Sequence, residues 1–420
     1  MRICLVSTGQ PSTNPRLVKE ADALTRAGHA VHVIGAHWVD WATAADARMM
    51  ASRHWTLSLV DWRQSEAPWL FHLSRVRHFA ARRAVGTAFE RMFGADTVLC
   101  RVGPELRREA LATPADLYIA HNLGALPAAY AAAEAHGARL GFDAEDFHSG
   151  QLQPGPLASF VRQTEQRFIP RCDSVTAAAP LIAEAYRDLC GVPLPTCVLN
   201  VFPLVDRPAT FREAQTTDPL RLYWFSQTIG PDRGLEDVVG AMGLLGTPHI
   251  ELHLRGRWQP GYEARLRAHA QACGVTPAQI VSYAPDVPDE MVRGAARFDV
   301  GLALEPPVSV NNDILLSNKI FTYLLAGIAV VATRTRGQGG LLPALGAAAV
   351  GCDPGNSASL AEALRPWVDD RALLEAARRA SWTLGGTRYN WEHEQHVFLG
   401  VVAGVLGAGA RARQDAGVGA

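Results

Sequence analysis

Two cations, Arg16 and Lys319, stand where first helical turns are expected, and a cation there opposes the helix dipole. A bound anion would resolve the conflict, because the free N–H groups of a helix start and the side chain can face one phosphate. The plain alternative is a solvated surface side chain. Lys319 lies within Asn311–Gly327, which reads as a polar loop and then a short helix, capped by Ser317 or Asn318 and stopped by Gly327. Arg16 follows the turn Thr8–Thr13, in which Gly9 lets the backbone approach a ligand closely. Arg233 closes the segment Ser226–Gly234 at another helix start and suits bidentate phosphate contact. Arg255 and Glu305 follow expected strands. Arg233, Arg255 and Lys319 together could offset most of the charge of a diphosphate, and Glu305 could accept hydrogen bonds from sugar hydroxyls.

A second set lies in the first half. His121, just after a strand, could hydrogen-bond a substrate hydroxyl or carry a proton, or it could satisfy local backbone groups. The next strand ends in Asp143, Glu145 and Asp146. Three carboxylates in four residues suggest a metal or sugar-hydroxyl site, and capping of the next helix is an equally good account.

Short apolar runs alternate with helical patterns and must position these groups. The expected strands are Ile3–Ser7, Ala30–Ile34, Leu117–Ala120, Arg139–Phe142 and Ser174–Ala177. Further on they are Leu220–Phe225, Ile250–Leu254, Gln279–Tyr283, Val300–Leu304, Ala329–Ala332 and Ala348–Val350. Such alternation implies parallel sheets with right-handed crossovers. Two series imply an α/β protein of two doubly wound, Rossmann-like domains facing across a cleft, with the break near Asn200–Pro219. The first helix is capped by Asn14, carries Pro15 in its first turn and ends at Gly28. No G-x-G-x-x-G follows the first strand, which disfavours a dinucleotide cofactor.

A chain of 420 residues suits two domains, and 40 basic against 41 acidic side chains carry no signature of nucleic-acid binding. Seven scattered cysteines without Cys-x-x-Cys spacing read as reduced thiols of a cytoplasmic protein. The opening apolar run is too short for a signal peptide, and no later run is expected to span a bilayer. The segment His72–Phe93 is helical in pattern and basic. Two readings stand for it: a peripheral contact with the inner face of an anionic membrane, or a solvated helix face.

Taken in order, Pro11–Glu20, Asp116–Ala128, Gly230–Leu235, Leu316–Ala332 and Tyr389–Trp391 resemble the glycosyltransferase family 4-like (group 1) enzymes with the GT-B fold. The resemblance implies residues 1–205 as an acceptor domain and 206–385 as a nucleotide-sugar domain. It implies residues 386–406 as a crossover helix, and 407–420 read as a disordered tail. It further implies a retaining, metal-independent, hexosyltransferase-like transfer from a nucleotide-diphosphate sugar, without a cofactor. The acceptor would be a hydroxyl of a glycan or lipid-linked substrate, in polysaccharide or lipid-linked glycan synthesis. His121, Arg233 and Lys319 carry over as catalytic residues. Gly9, Gln227, Arg255, Glu305, Ser317, Asn318 and Thr322 fall on the donor side, and Asn14, Arg16, Asp143 and Glu145 on the acceptor side. Two departures stand out. Thr322 occupies the place of a glutamate that usually holds the ribose, a loss of about 1.5–3 kcal/mol. Gln227 and Thr228 replace a frequent Gly-Arg, which leaves Arg255 as a substitute clamp. Thr322 keeps open a second reading, a catalytically weak or inactive GT-B module that binds a glycan or a partner.

Overall fold

The computed structural model describes residues 1–213, 218–285 and 290–417, with side chains as far as residue 407. The chain forms two compact units. Unit 1 contains Met1–Val198 and the chain from Gln395 on, and unit 2 is Leu199–Glu394.

The strands of unit 1 are β1 (Arg2–Ser7), β2 (Ala30–His37), β3 (Thr56–Asp61), β4 (Leu117–His121), β5 (Arg139–Ala144), β6 (Ser174–Ala177) and β7 (Thr196–Cys197). They form one sheet in the order β3-β2-β1-β4-β5-β6-β7, parallel throughout. Unit 2 contributes β8 (Leu220–Ile229), β9 (Ile250–Trp258), β10 (Ile280–Tyr283), β11 (Val300–Ala303), β12 (Ala329–Thr333) and β13 (Ala349–Cys352). Their order is β10-β9-β8-β11-β12-β13, again parallel. Helices cover the sheet faces, so the central strands are buried on both sides and must be apolar along their length. Ile3, Leu5 and Val33 in unit 1, and Leu222, Trp224, Leu252 and Val331 in unit 2, are fully enclosed. Strand order reverses between β1 and β4, and again between β8 and β11. Ligands of such sheets bind outside the carboxyl ends at these reversals.

Three local expectations need correction. The basic helix spans Pro68–Ala84, not His72–Phe93, because Val85 turns extended and Gly86 adopts a left-handed φ of 76°. The last helix, Trp391–Gly417, continues through the first part of the segment read as a disordered tail. Ser226–Ile229 is strand rather than loop. β8 and β9 stay paired beyond Phe225 through a register shift, with Phe225 opposite Arg255 and Thr228 opposite Arg257. Gly256 permits this bulge: its φ is 153°, and a Cβ there would lie 2.5 Å from the Ser226 carbonyl oxygen. Among the described residues, no helix is long and apolar enough to cross a membrane.

The bulge gives a stability prediction. Gly256→Ala forces both an unfavourable φ and a clash with backbone, so it should destabilise unit 2 by about 1–3 kcal/mol in a urea titration; Gly261→Ala, with a left-handed φ but open space, should cost less.

Candidate functional site

Unit 1 places its charged candidates at the β1/β4 reversal. The helix Pro15–Arg26 begins as expected: the Asn14 side chain accepts from the Leu17 N–H at 3.1 Å, and Pro15 fills the first position. Arg16 then points inward. Its Nε and Nη2 donate to the two Asp143 carboxylate oxygens at 2.6 and 2.7 Å, and its Nη1 donates to the Val198 carbonyl at 2.7 Å. Thr176 adds a hydroxyl donor to Asp143 at 2.6 Å. Arg16 is 1% and Asp143 0% exposed, so the acceptor role expected for these two is withdrawn: each is enclosed by the other.

His121 closes the same cluster. Its Nε2 lies 3.2 Å from Glu20, and its Nδ1 lies 3.5 Å from Asp143 and 3.4 Å from Glu145. Burial favours the neutral ring, but the Glu20, Glu145 and Asp143 carboxylates overcome it and raise the His121 pKa to about 10. Burial and Asp143 push the Glu20 carboxyl up, so the Glu20–His121 pair keeps its proton through neutral pH. His121 has no exposed surface, and its Nδ1 faces the part-exposed Glu145 carboxylate. Glu145 has 26% of its side chain exposed and accepts from the Asn14 amide at 2.7 Å. Glu20, His121 and Asp143 have ligand atoms within 4.8 Å of one another. The Arg16 guanidinium already supplies the positive charge there, 3.4 Å from Glu20. Glu20 escaped the sequence analysis, although its spacing four residues after Arg16 on one helix face was the available signal. Gly9 lies on the turn beside this cluster; its carbonyl accepts from the Ala36 N–H at 3.3 Å and packs against Gly35, where a Cβ would approach it to 2.6 Å.

Unit 2 repeats the device in a more open form. The helix Asn318–Ala326 starts after Ser317 and stops at Gly327, whose φ is 73°. Ser317 does not cap the helix with its side chain; its hydroxyl donates to Glu305 at 2.9 Å. Lys319 Nζ donates to the same Glu305 oxygen at 2.9 Å and sits 5.8 Å from the centre of the Trp224 ring. Glu305 itself is pinned to β12, because its N–H donates to the Thr333 hydroxyl at 3.0 Å and its carbonyl accepts from that hydroxyl at 2.9 Å. Burial would raise the Glu305 pKa, but Lys319, Ser317 and then Arg233 hold it below the usual carboxylate range. Lys319 keeps 14% of its side chain exposed. Arg233 is exposed, has no hydrogen bond or ion pair among the described residues, and stands between two left-handed residues, Asp232 and Gly234. Asn318 is exposed at the helix start.

The remaining donor-side candidates of unit 2 are Gln227, Arg255 and Thr322. Gln227 is an exposed residue of β8. Arg255 lies in β9, where it donates to the Tyr223 hydroxyl at 3.1 Å and the Ala284 carbonyl at 3.0 Å, which replaces the free clamp expected of it. Thr322 is fully buried and its hydroxyl donates to the Asn318 carbonyl at 3.1 Å, so it presents no free group in place of the glutamate that the resemblance would put there.

No family model and no curated protein matches the sequence. Solved structures do resemble it. One is Alr3699/HepE of Anabaena in complex with UDP, at 14% identity and TM-score 0.66 over 96% of this chain and 100% of that one. The same protein in complex with UDP-glucose gives 14% identity and TM-score 0.65 over the same shares. Another is sucrose-phosphate synthase from Thermosynechococcus elongatus, at 13% identity and TM-score 0.69 over 97% of this chain and 100% of that one. A third is the lipopolysaccharide outer core galactosyltransferase WaaB in its apo form, at 12% identity and TM-score 0.57 over 96% and 99%.

The unit 1 cluster generates two predictions. Arg16→Ala leaves Asp143 buried without its cation and should cost about 3–5 kcal/mol of folding stability by chemical denaturation. His121, with a folded pKa of about 10 against 6.5 for the free ring, contributes stability that is fully present below about pH 6.5 and is lost as pH rises through about 10. Stability should therefore fall between these limits, and His121→Asn should flatten that fall. Sheets of this order in both units, together with these likenesses, give the chain the GT-B fold.

Proposed function

We propose that the protein is a glycosyltransferase that takes a sugar from a nucleoside-diphosphate sugar through unit 2. The observation that carries this reading is the cationic corner at the β8/β11 reversal. Lys319, the start of the helix Asn318–Ala326 and the exposed Arg233 all lie near the buried Glu305 carboxylate. A diphosphate there would meet two cations and unengaged helix N–H groups, which stabilise the charge that grows as the sugar departs. HepE of Anabaena, a similar structure, has been solved in complex with UDP and with UDP-glucose, which supports the same class of ligand here.

In this reading Lys319 and Arg233 hold the diphosphate, while Ser317 and Glu305 fix Lys319 and Asn318 lies at its edge. The bond between the anomeric carbon and the β-phosphate oxygen breaks through an oxocarbenium-like state. The acceptor hydroxyl forms the new bond on the same face, and the departing phosphate takes its proton, so configuration is retained. These cations make a metal unnecessary. The acceptor-side groups are Glu145, with its part-exposed carboxylate, and its partner Asn14. The acceptor class is a hydroxyl of a glycan or lipid-linked glycan, and the place of action is the cytoplasm. A second reading, a GT-B module that binds without transferring, draws on one observation: Thr322 offers no ribose ligand.

The test is donor affinity and turnover in single variants. Arg233→Ala and Lys319→Ala should each weaken nucleoside-diphosphate binding at least tenfold, about 1.5 kcal/mol. Arg233→Ala should leave folding stability within about 0.5 kcal/mol. Undiminished binding in both variants would remove the site from this corner. Binding without transfer or hydrolysis of any nucleotide sugar would favour the second reading.

A further inference from the structure

The helix Pro68–Ala84 carries large apolar side chains beyond the face that it buries. Leu70, Ser74 and Ala81 turn inward and are buried. Trp69, Leu73 and Val76, at helical spacings of four and three, form one outward stripe and are 67%, 51% and 68% exposed. Phe79, 61% exposed, flanks that stripe. A globular helix ordinarily keeps charge on its outer face, and large apolar side chains in a solvent-facing row mark an interaction surface.

The charge on this helix selects the partner. It carries four arginines and no carboxylate. Arg77 is engaged inward, at 2.6 Å from Glu105. Arg75, Arg82 and Arg83 are exposed, and the Arg83 guanidinium lies 5.1 Å from the centre of the Phe79 ring, beside the apolar stripe. A separate row of stacked rings runs from Phe71 on another side of the helix to Trp62 and on to Trp38, which is 53% exposed. Tryptophan and phenylalanine flanked by arginine are the side chains that settle at the boundary between lipid headgroups and acyl chains. A protein partner with an acidic groove would satisfy the charges but would not call for exposed indole rings on two separate elements.

We propose that this face of unit 1 docks the protein on an anionic bilayer, with the Trp69–Leu73–Val76 stripe entering the interface and Arg75, Arg82 and Arg83 facing lipid phosphates. The proposal is independent of the transferase reading, since it rests on the outer face of one helix and on none of the donor-side residues.

The experiment is co-sedimentation of the full-length protein with vesicles of phosphatidylcholine alone and of phosphatidylcholine with phosphatidylglycerol, with tryptophan emission recorded in parallel. The expected result is binding to the anionic vesicles that weakens as salt rises, with a blue shift of tryptophan emission. Arg82→Gln/Arg83→Gln should weaken this binding about thirtyfold, since each basic residue near the surface is worth about a factor of five. Trp69→Ser/Val76→Ser should weaken it and abolish the blue shift, and because these positions are exposed the variants should fold normally. Binding to neither vesicle, equal binding to both, or unchanged binding in both variants would overturn the proposal. So would a concentration-dependent dimer, lost in Trp69→Ser/Val76→Ser, in place of vesicle binding.

Discussion

A cation in the first turn of a helix needs an anion, and in both units it finds a carboxylate just beyond or at the end of a parallel strand. Arg16 meets Asp143 on β5 at 2.6 Å, and Lys319 meets Glu305 after β11 at 2.9 Å. Each pair ties a helix start to the carboxyl end of an inner strand of the sheet. In unit 1 the consequences spread outward from the pair. With Arg16 fixed, Asp143 also receives Thr176, Glu20 and His121 hold a proton between them, and Glu145 is held between His121 and Asn14. Removing either partner of such a pair leaves a bare buried charge, which is why the arrangement acts as a single unit.

The two pairs differ in what they leave open. Arg16 and Asp143 are enclosed, with their hydrogen-bonding groups directed into the chain. Lys319 remains partly exposed at the first turn of its helix, and the exposed Arg233 nearby has no hydrogen bond or ion pair among the described residues. Unit 2 therefore keeps positive charge available at a helix N-terminus while the carboxylate beneath holds the lysine in place. That difference, rather than the presence of cations as such, separates a structural cluster from a ligand corner.

Much of this was legible in the sequence. Central strands, buried on both faces, read as continuous apolar runs, and the caps at Asn14, Gly28 and Gly327 punctuated their helices. The edge strands of unit 1 were not legible: Thr56–Asp61 alternates polar and apolar side chains, and Thr196–Cys197 is two residues long. The continuation of β8 was hidden by the polar run Ser226-Gln227-Thr228, which stays paired only because Gly256 opens the bulge opposite. Among the site residues, the anomaly of Arg16 and Lys319 was visible, but not its resolution. Sequence spacing shows that a cation wants an anion; it does not show that the anion is a carboxylate from another strand, more than a hundred residues away in one case and 14 in the other. Thr322 was noticed for its type, yet only the fold reveals that its hydroxyl turns back to its own helix.

The most direct measurement is a metal-free thermal-shift titration with a panel of nucleoside diphosphates. The account predicts that one of them raises the melting temperature progressively with concentration, as ligand linkage requires, and that Lys319→Ala abolishes the rise. No rise with any nucleoside diphosphate at millimolar concentration, or an undiminished rise in Lys319→Ala, would contradict it.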